Sequence, residues 1–322
     1  MIDRRTALGM LLSAPGLARA QSEPWPSRAV TVISPVQAGS AGDTSLRLVT
    51  QKLSENLKVG FAVENLAGAA GMIGVDRLSR ARPDGYTIGG ISDSTLTYVP
   101  IIQGRTGFNA LDTLAPVTLL ATSTWVLVAH PSAGFKTVQE LVAASKARRG
   151  TINYASAGVG GSHHLVMEMF KSVTGTDLLH VPYRGAAAAL QDVQAGQVQL
   201  MFSALSVAIG AIREGKLVPL GVALPRRTPL LPQVPTVAEQ GLEGFTFSTW
   251  TGLLVPRGTP APIIDRLNAE AARALGDPAV SERLLALGAT PQPGTPKELE
   301  DLIQSTTAKM GKVIREANIK GQ

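Results

Sequence analysis

Two stretches of this chain join a short apolar run to a Gly/Ser loop that opens a helical pattern, an arrangement able to hold an anion. The first runs from Ala29 to Pro35, through Val36-Gln37-Ala38-Gly39-Ser40-Ala41-Gly42-Asp43, into Thr44 to Ser54. The second runs from Thr151 to Ser156, through Ala157-Gly158-Val159-Gly160-Gly161-Ser162, into His163 to Val173. Glycines allow tight turns and close approach of backbone to ligand, and the first turn of a helix offers unpaired N–H groups with partial positive charge. Asp43, at the mouth of the first loop, suits capping of helix amides or orientation of water better than base chemistry. Each loop taken alone also has a purely geometric explanation, as a tight strand-to-helix connection.

Two further segments share this chemistry more weakly. Gly68-Ala69-Ala70-Gly71-Met72-Ile73-Gly74 precedes a helical pattern, and its small residues are accounted for by close packing. Pro182-Tyr183-Arg184-Gly185-Ala186 sets an arginine before a helix start, where Arg184 either pairs bidentately with a carboxylate or is a solvated surface residue. Neither main loop is a cofactor fingerprint: Gly158-Val159-Gly160-Gly161-Ser162-His163 lacks the third glycine of G-x-G-x-x-G, and no lysine follows as in a phosphate loop. His163 and His164 are adjacent, so on a helix they point about 100° apart and cannot grip one metal. No Gly-x-Ser-x-Gly elbow is present for a serine nucleophile. The expectation is therefore a binding protein with no cofactor, no metal and no catalytic residues.

The elements that must position these loops alternate along the chain. Candidate strands are 29–34, 61–64, 87–91, 115–120, 125–129, 152–155, 177–181, 200–202, 217–223 and 250–255. Candidate helices are 45–57, 74–81, 138–146, 164–172, 186–194 and 206–215, followed by 262–275, 279–287 and 296–317. This alternation favours an α/β fold with largely parallel sheets. Thr295 and Glu298 have capping-box spacing with Pro296 at the first helical position, and the C-terminal helices are expected on the outside of the first lobe. A lobe boundary falls at Ala121-Thr122-Ser123-Thr124 with a return crossing near Phe247-Ser248-Thr249-Trp250. The lobes are then residues 24–122 with 249–322, and residues 123–248.

Bulk properties narrow the class. Met1-Ile2-Asp3-Arg4-Arg5, a modest apolar stretch and Ala18-Arg19-Ala20 form a secretory signal expected to be cut after Ala20, by the general or the twin-arginine route. Export from a bacterial cytoplasm is the expectation. Zero cysteines exclude disulfides, thiolate metal sites and a cysteine nucleophile. Of the formal charge of +6, Arg4, Arg5 and Arg19 against Asp3 supply +2, leaving +4 with scattered cations and only 4% aromatics. That composition argues against nucleic-acid binding and for attraction of small anions.

In order along the chain, several segments resemble the substrate-binding proteins of tripartite tricarboxylate transporters, often called the Bug family. They include Trp25-Pro26-Ser27-Arg28, Gly39 through Asp43, Glu64-Asn65 with the Gly68 to Gly74 loop, and Arg82-Pro83-Asp84-Gly85-Tyr86-Thr87. Further along are Asn153 through Gly158, Ser162-His163-His164-Leu165, His180 through Gly185, and Val234-Pro235-Thr236-Val237-Ala238-Glu239. The resemblance implies a two-lobed periplasmic-binding-protein fold of type II kind. Each lobe would be a largely parallel sheet flanked by helices, with two crossover strands, closing on a small carboxylate held by backbone amides and ordered water. It carries the site onto Val36, Gly39, Ser40 and Asp43 of the first loop and Ser156, Gly158, Gly160 and Ser162 of the second. Ser92 and Ser94 at a strand end, Arg184, and Ser203 are added to it. Ser203 stands where many members have an aspartate, and Val159 where a polar residue is frequent, which points to a carboxylate without an amino group and partly apolar. The implied partners are that ligand and membrane transporter subunits, with the protein itself a monomer. A binder serving a membrane sensor kinase is the alternative, and an exported hydrolase a remote one.

Overall fold

The computed structural model describes residues 25–105 and 107–320; the expected leader lies outside them. The chain begins with β1 (Val30–Ser34), α1 (Ala41–Leu57), β2 (Phe61–Asn65), α2 (Met72–Ser79) and β3 (Thr87–Ser92). Three short helices follow, α3 (Asp93–Thr97), α4 (Val99–Ile102) and α5 (Ala110–Thr113), and then the long β4 (Leu114–Ala129). Next come α6 (Val138–Ala147), β5 (Ile152–Ser156), α7 (Ser162–Thr174), β6 (Leu178–Pro182), α8 (Ala186–Gln194), β7 (Leu200–Ala204), α9 (Leu205–Arg213) and β8 (Val218–Val222). The chain returns through β9 (Ser248–Pro256) and closes with α10 (Ala261–Leu275), α11 (Pro278–Ala286), the two-residue β10 (Thr290–Pro291) and α12 (Pro296–Glu316).

The strands run in the order β2-β1-β3-β9-β4-β7-β5-β6, with β10 and β8 also on β4. Pairings β1 with β2 and β3, and β5 with β6 and β7, are parallel, whereas β9 and β4 are antiparallel to their neighbours. β4 belongs to both halves: Leu114 to Thr124 pair with β9, and Trp125 to Ala129 pair with β7 and β8. Where the sequence predicts two strands with a break at Ala121 to Thr124, the structure has one of 16 residues. Thr122-Ser123-Thr124 are half-exposed between two cores, which explains their polarity. Threonines are good strand formers, so nothing there interrupts pairing.

Successive side chains along β4 divide between the two faces of the second sheet, as strand geometry requires. Leu127 and Ala129 join Tyr154, Phe170 and Phe202 on one face, while Val126 and Val128 join Met201, Leu205 and Val222 on the other. The first sheet is likewise packed on both faces, with Val30, Val32 and Leu267 on one and Ile33, Met72 and Leu299 on the other. α10 and α11 cover one face of the first sheet. α12 does more: started by its capping box, it places its own Leu299 and Ile303 in the first core, while its Met310, Val313 and Ile314 pack in the second. Its 21 residues, about 30 Å at 1.5 Å each, are long enough to reach both.

Candidate functional site

The C-terminal ends of β1, β3 and β5 open toward one another, and between them lies a cleft of ≈ 750 Å³. Its walls come from Pro35 to Ser40 after β1, the Gly68 to Gly71 loop after β2, Ser92 to Gln103 around α3 and α4, and Val159 to Ser162 before α7. Among the expected site residues, Val36, Ser40, Ser92, Ser94, Gly160 and Ser162 line this cleft. Gly39, Asp43, Ser156 and Gly158 do not line it; they shape its two loops. Arg184 is exposed on the loop before α8 and does not line the cleft. Ser203 is buried on β7, where its hydroxyl donates to the Ala204 carbonyl at 3.2 Å.

The first loop is fixed from inside. α1 starts at Ala41, earlier than the expected Ser45, because the Ser40 hydroxyl caps it by accepting from the Asp43 amide at 3.3 Å. Asp43 is buried, and its carboxylate accepts from the Gly39 amide at 2.9 Å, from Asn65 at 2.8 Å and from Arg47 at 2.9 Å. Burial pushes its pKa upward, but the hydrogen bonds from Arg47, Asn65 and Gly39 together hold it below the usual carboxylate range. The Gly39 amide is therefore committed to the loop itself.

The second loop is fixed from behind in a similar way. Ser156 Oγ accepts from the Gly158 amide at 3.1 Å and bonds His180 Nε2 at 2.6 Å. The Gly160 amide donates to His164 Nδ1 at 3.1 Å, and the Gly161 amide to the Gly158 carbonyl at 3.4 Å. Gly158 and Gly160, at φ +130° and +76°, supply the backbone turn. Behind the loop the rings of Tyr154, His180 and His164 stack, with 4.9 Å between the first two centroids and 4.0 Å between the last two. Glu168 accepts from Tyr154 and from Lys171, both at 2.7 Å. Burial lowers the pKa of both histidines, His180 to about 4, with His164 adding to the effect there. Neutral His164 can then accept from Gly160 with its proton on Nε2, toward Glu168 at 3.8 Å.

What stays open to a ligand is the start of α7. Its N-cap, Gly161, has no side chain to cap it, and the amides of Ser162 and His163 have no partner among the described residues. The Ser162 hydroxyl meets Tyr98 Oη at 2.7 Å across the cleft, and burial keeps that phenol protonated by raising its pKa. His163 turns away and packs edge-on against Trp125, with ring centroids 4.8 Å apart; burial lowers its pKa to about 4.

Tyr98, Ile102 and the histidine stack are the parts of the site that sequence reasoning missed. His164, Glu168 and Lys171 are spaced to share one face of a helix, which could have marked the cluster. His180 joins them only through its register opposite Tyr154.

Two α/β halves joined by long crossover strands, with a polar-amide cleft between strand ends, define a two-lobed periplasmic binding protein. Similarity to known proteins narrows this. The model of the tripartite tricarboxylate transporter family receptor matches residues 45–319, and the chain belongs to that family. It is 31% identical over 319 residues to Protein BugT of Bordetella pertussis, covering 97% of each. Among solved structures it resembles R. palustris Rpa4515 with adipate (TM-score 0.76, 29% identity, 92% of this chain and 99% of that one). It also resembles MatC from Rhodopseudomonas palustris with bound malate (TM-score 0.72, 33% identity, 90% and 100%). No helix among the described residues is long and apolar enough to cross a membrane.

Proposed function

We propose that this protein captures a small carboxylate between its lobes in the periplasm and delivers it to the membrane subunits of a tripartite tricarboxylate-type transporter. The observation that carries the reading is the uncapped start of α7, where the Ser162 and His163 amides are free and Ser162 lines a cleft without basic side chains. Charge at a helix start contributes about 0.3 to 1 kcal/mol, up to ~2 in partly buried sites. Charge-assisted hydrogen bonds add roughly 1.5 to 3 kcal/mol each. Two or three of these, offset by the cost of ordering and desolvation, are compatible with a dissociation constant near 1 μM, about −8 kcal/mol. Adipate and malate in the related structures support the ligand class.

The lobes in this reading are residues 24–122 with 249–322, and residues 123–248, moving about β4 and β9. Closure buries the ligand and forms the surface the membrane partner reads, with the Tyr98 to Ser162 contact among those that form on closing. The exported monomer, freed of its leader after Ala20, binds and releases without chemical conversion. Native mass spectrometry of protein taken from its host, followed by thermal unfolding with mono-, di- and tricarboxylates, tests the capture step. A retained acid or a rise in Tm with at least one carboxylate is expected, since ligand at 100 times its Kd stabilises by about 2.7 kcal/mol. No retained acid and no shift across the panel refutes the reading.

A further inference from the structure

We propose that the ligand is a monocarboxylate with an uncharged, apolar body, and that Val159 and Ile102 select that body; this rests on the carboxylate reading of the cleft. The first support is the composition of the walls. No Lys, Arg, His, Asp or Glu lines the cleft, so each further ligand carboxylate would have to exchange its water for neutral hydroxyl and amide donors alone, a costly exchange that an apolar end avoids.

The second support is an asymmetry between the two helix starts. At α7 the first-turn amides are open. At α1 the Ser40 hydroxyl already holds the Asp43 amide, and the Asp43 carboxylate sits in the first turn, offsetting the partial positive charge that would attract a ligand anion. Asp43 is itself engaged with Arg47 and Asn65 outside the cleft lining, so it serves its own helix and loop rather than a ligand. The α7 start, with no side-chain cap, is therefore the freer of the two anion poles.

The third support is the surface between the poles. Val159 stands at the tip of the second loop, 38% exposed, and lines the cleft. Across from it Ile102 reaches the second loop: a Cβ added at Gly160 would lie 3.0 Å from Ile102 Cδ1. Val36 and Val99 extend the same apolar surface within the first lobe. Burying a hydrocarbon or aromatic body against these side chains is favourable in proportion to the area removed from water.

Hexanoate and adipate separate the alternatives, because they share six carbons and differ by the second carboxylate. Calorimetric titration of the full mature protein, unfolded and refolded to remove retained ligand, should give hexanoate an affinity at least tenfold above adipate, with 1-hexanol silent. Val159→Asn, at an exposed position that leaves the core intact, should weaken hexanoate about fivefold or more and narrow its preference over adipate. Adipate or malate binding as tightly as hexanoate overturns the proposal and leaves the carboxylate reading standing. Binding of none of the three acids, nor of citrate, overturns both. An unchanged hexanoate affinity in Val159→Asn, with the tenfold preference intact, overturns the role given to Val159.

Discussion

Asp93 gives the most stringent test of the electrostatics of this fold. It opens α3 immediately after β3, is 3% exposed, and receives backbone hydrogen bonds from Ser94 and Trp250. Burial outweighs those amides and raises its pKa from 3.8 to about 7. Between those two values the folded protein keeps a proton that the unfolded chain has released, so stability falls as pH rises through this window and levels off above it. At about 1.4 kcal/mol per pH unit, the full interval corresponds to about 4 kcal/mol as a ceiling. Asp93→Asn removes the titration and keeps an oxygen to accept one backbone amide. Its pH-independent costs cancel when the stability difference between wild type and variant is compared across pH. Urea unfolding at pH 5, 6, 7 and 8 should show the variant gaining on wild type by roughly 1 to 3 kcal/mol between pH 5 and 7, with little further change at pH 8. The neutral histidines, which titrate alike in both proteins, drop out of the comparison. Parallel stability curves would refute the assignment of a buried, reluctantly ionised carboxyl.

Two further outcomes follow from named contacts. A Cβ at Gly288, where φ is +75°, would collide with the side chain of Ser206 at the start of α9, so Gly288→Ala should hold the halves apart along that edge and weaken hexanoate or adipate binding about tenfold; calorimetry showing unchanged affinity contradicts the contact. The depressed pKa values of His180 and His163, both to about 4, mean that the unfolded chain takes up protons first on acidification, so stability contributed by their neutral forms is lost as pH falls from 6.5 toward 4. Denaturant midpoints measured on Asp93→Asn, which isolates this limb, should fall from pH 6.5 to 4.5; a flat profile contradicts the buried, neutral state of these two histidines.

The strands were legible in the sequence wherever apolar, β-branched runs are bounded by turn residues, as in Val30–Ser34 and Ile152–Ser156. β4 was legible only as two pieces, because a strand crossing between two cores must carry polar residues at the crossing, and Thr122-Ser123-Thr124 look like a linker when their partners on β9 are unknown. α3 and α4 escaped notice since five and four residues cannot display a helical period, yet they bring Tyr98 and Ile102 into the cleft. The second half of α12 has the same apolar and charged alternation as the first, and nothing in that pattern says that its later turns meet a different core.

The glycine-rich loops carry a more general lesson about reading anion sites. Glycines marked both loops correctly as places where the backbone turns sharply. The amides those turns expose, however, are engaged by side chains that the loops themselves bring near: Gly39 by Asp43, Gly158 by Ser156, Gly160 by His164. A loop this rigid has few unsatisfied donors of its own, because a buried unpaired amide costs about as much as a lost hydrogen bond. The donors left over belong to the helix that follows, at Ser162 and His163, where the i−4 carbonyl is missing and no side chain substitutes for it. Rigidity and binding are thus divided between neighbouring residues. Holding Gly158 and Gly160 in place fixes the α7 start relative to Tyr98; on the proposed function, a carboxylate arriving there would meet preformed donors and lose less freedom on binding than against a loop that had to order around it.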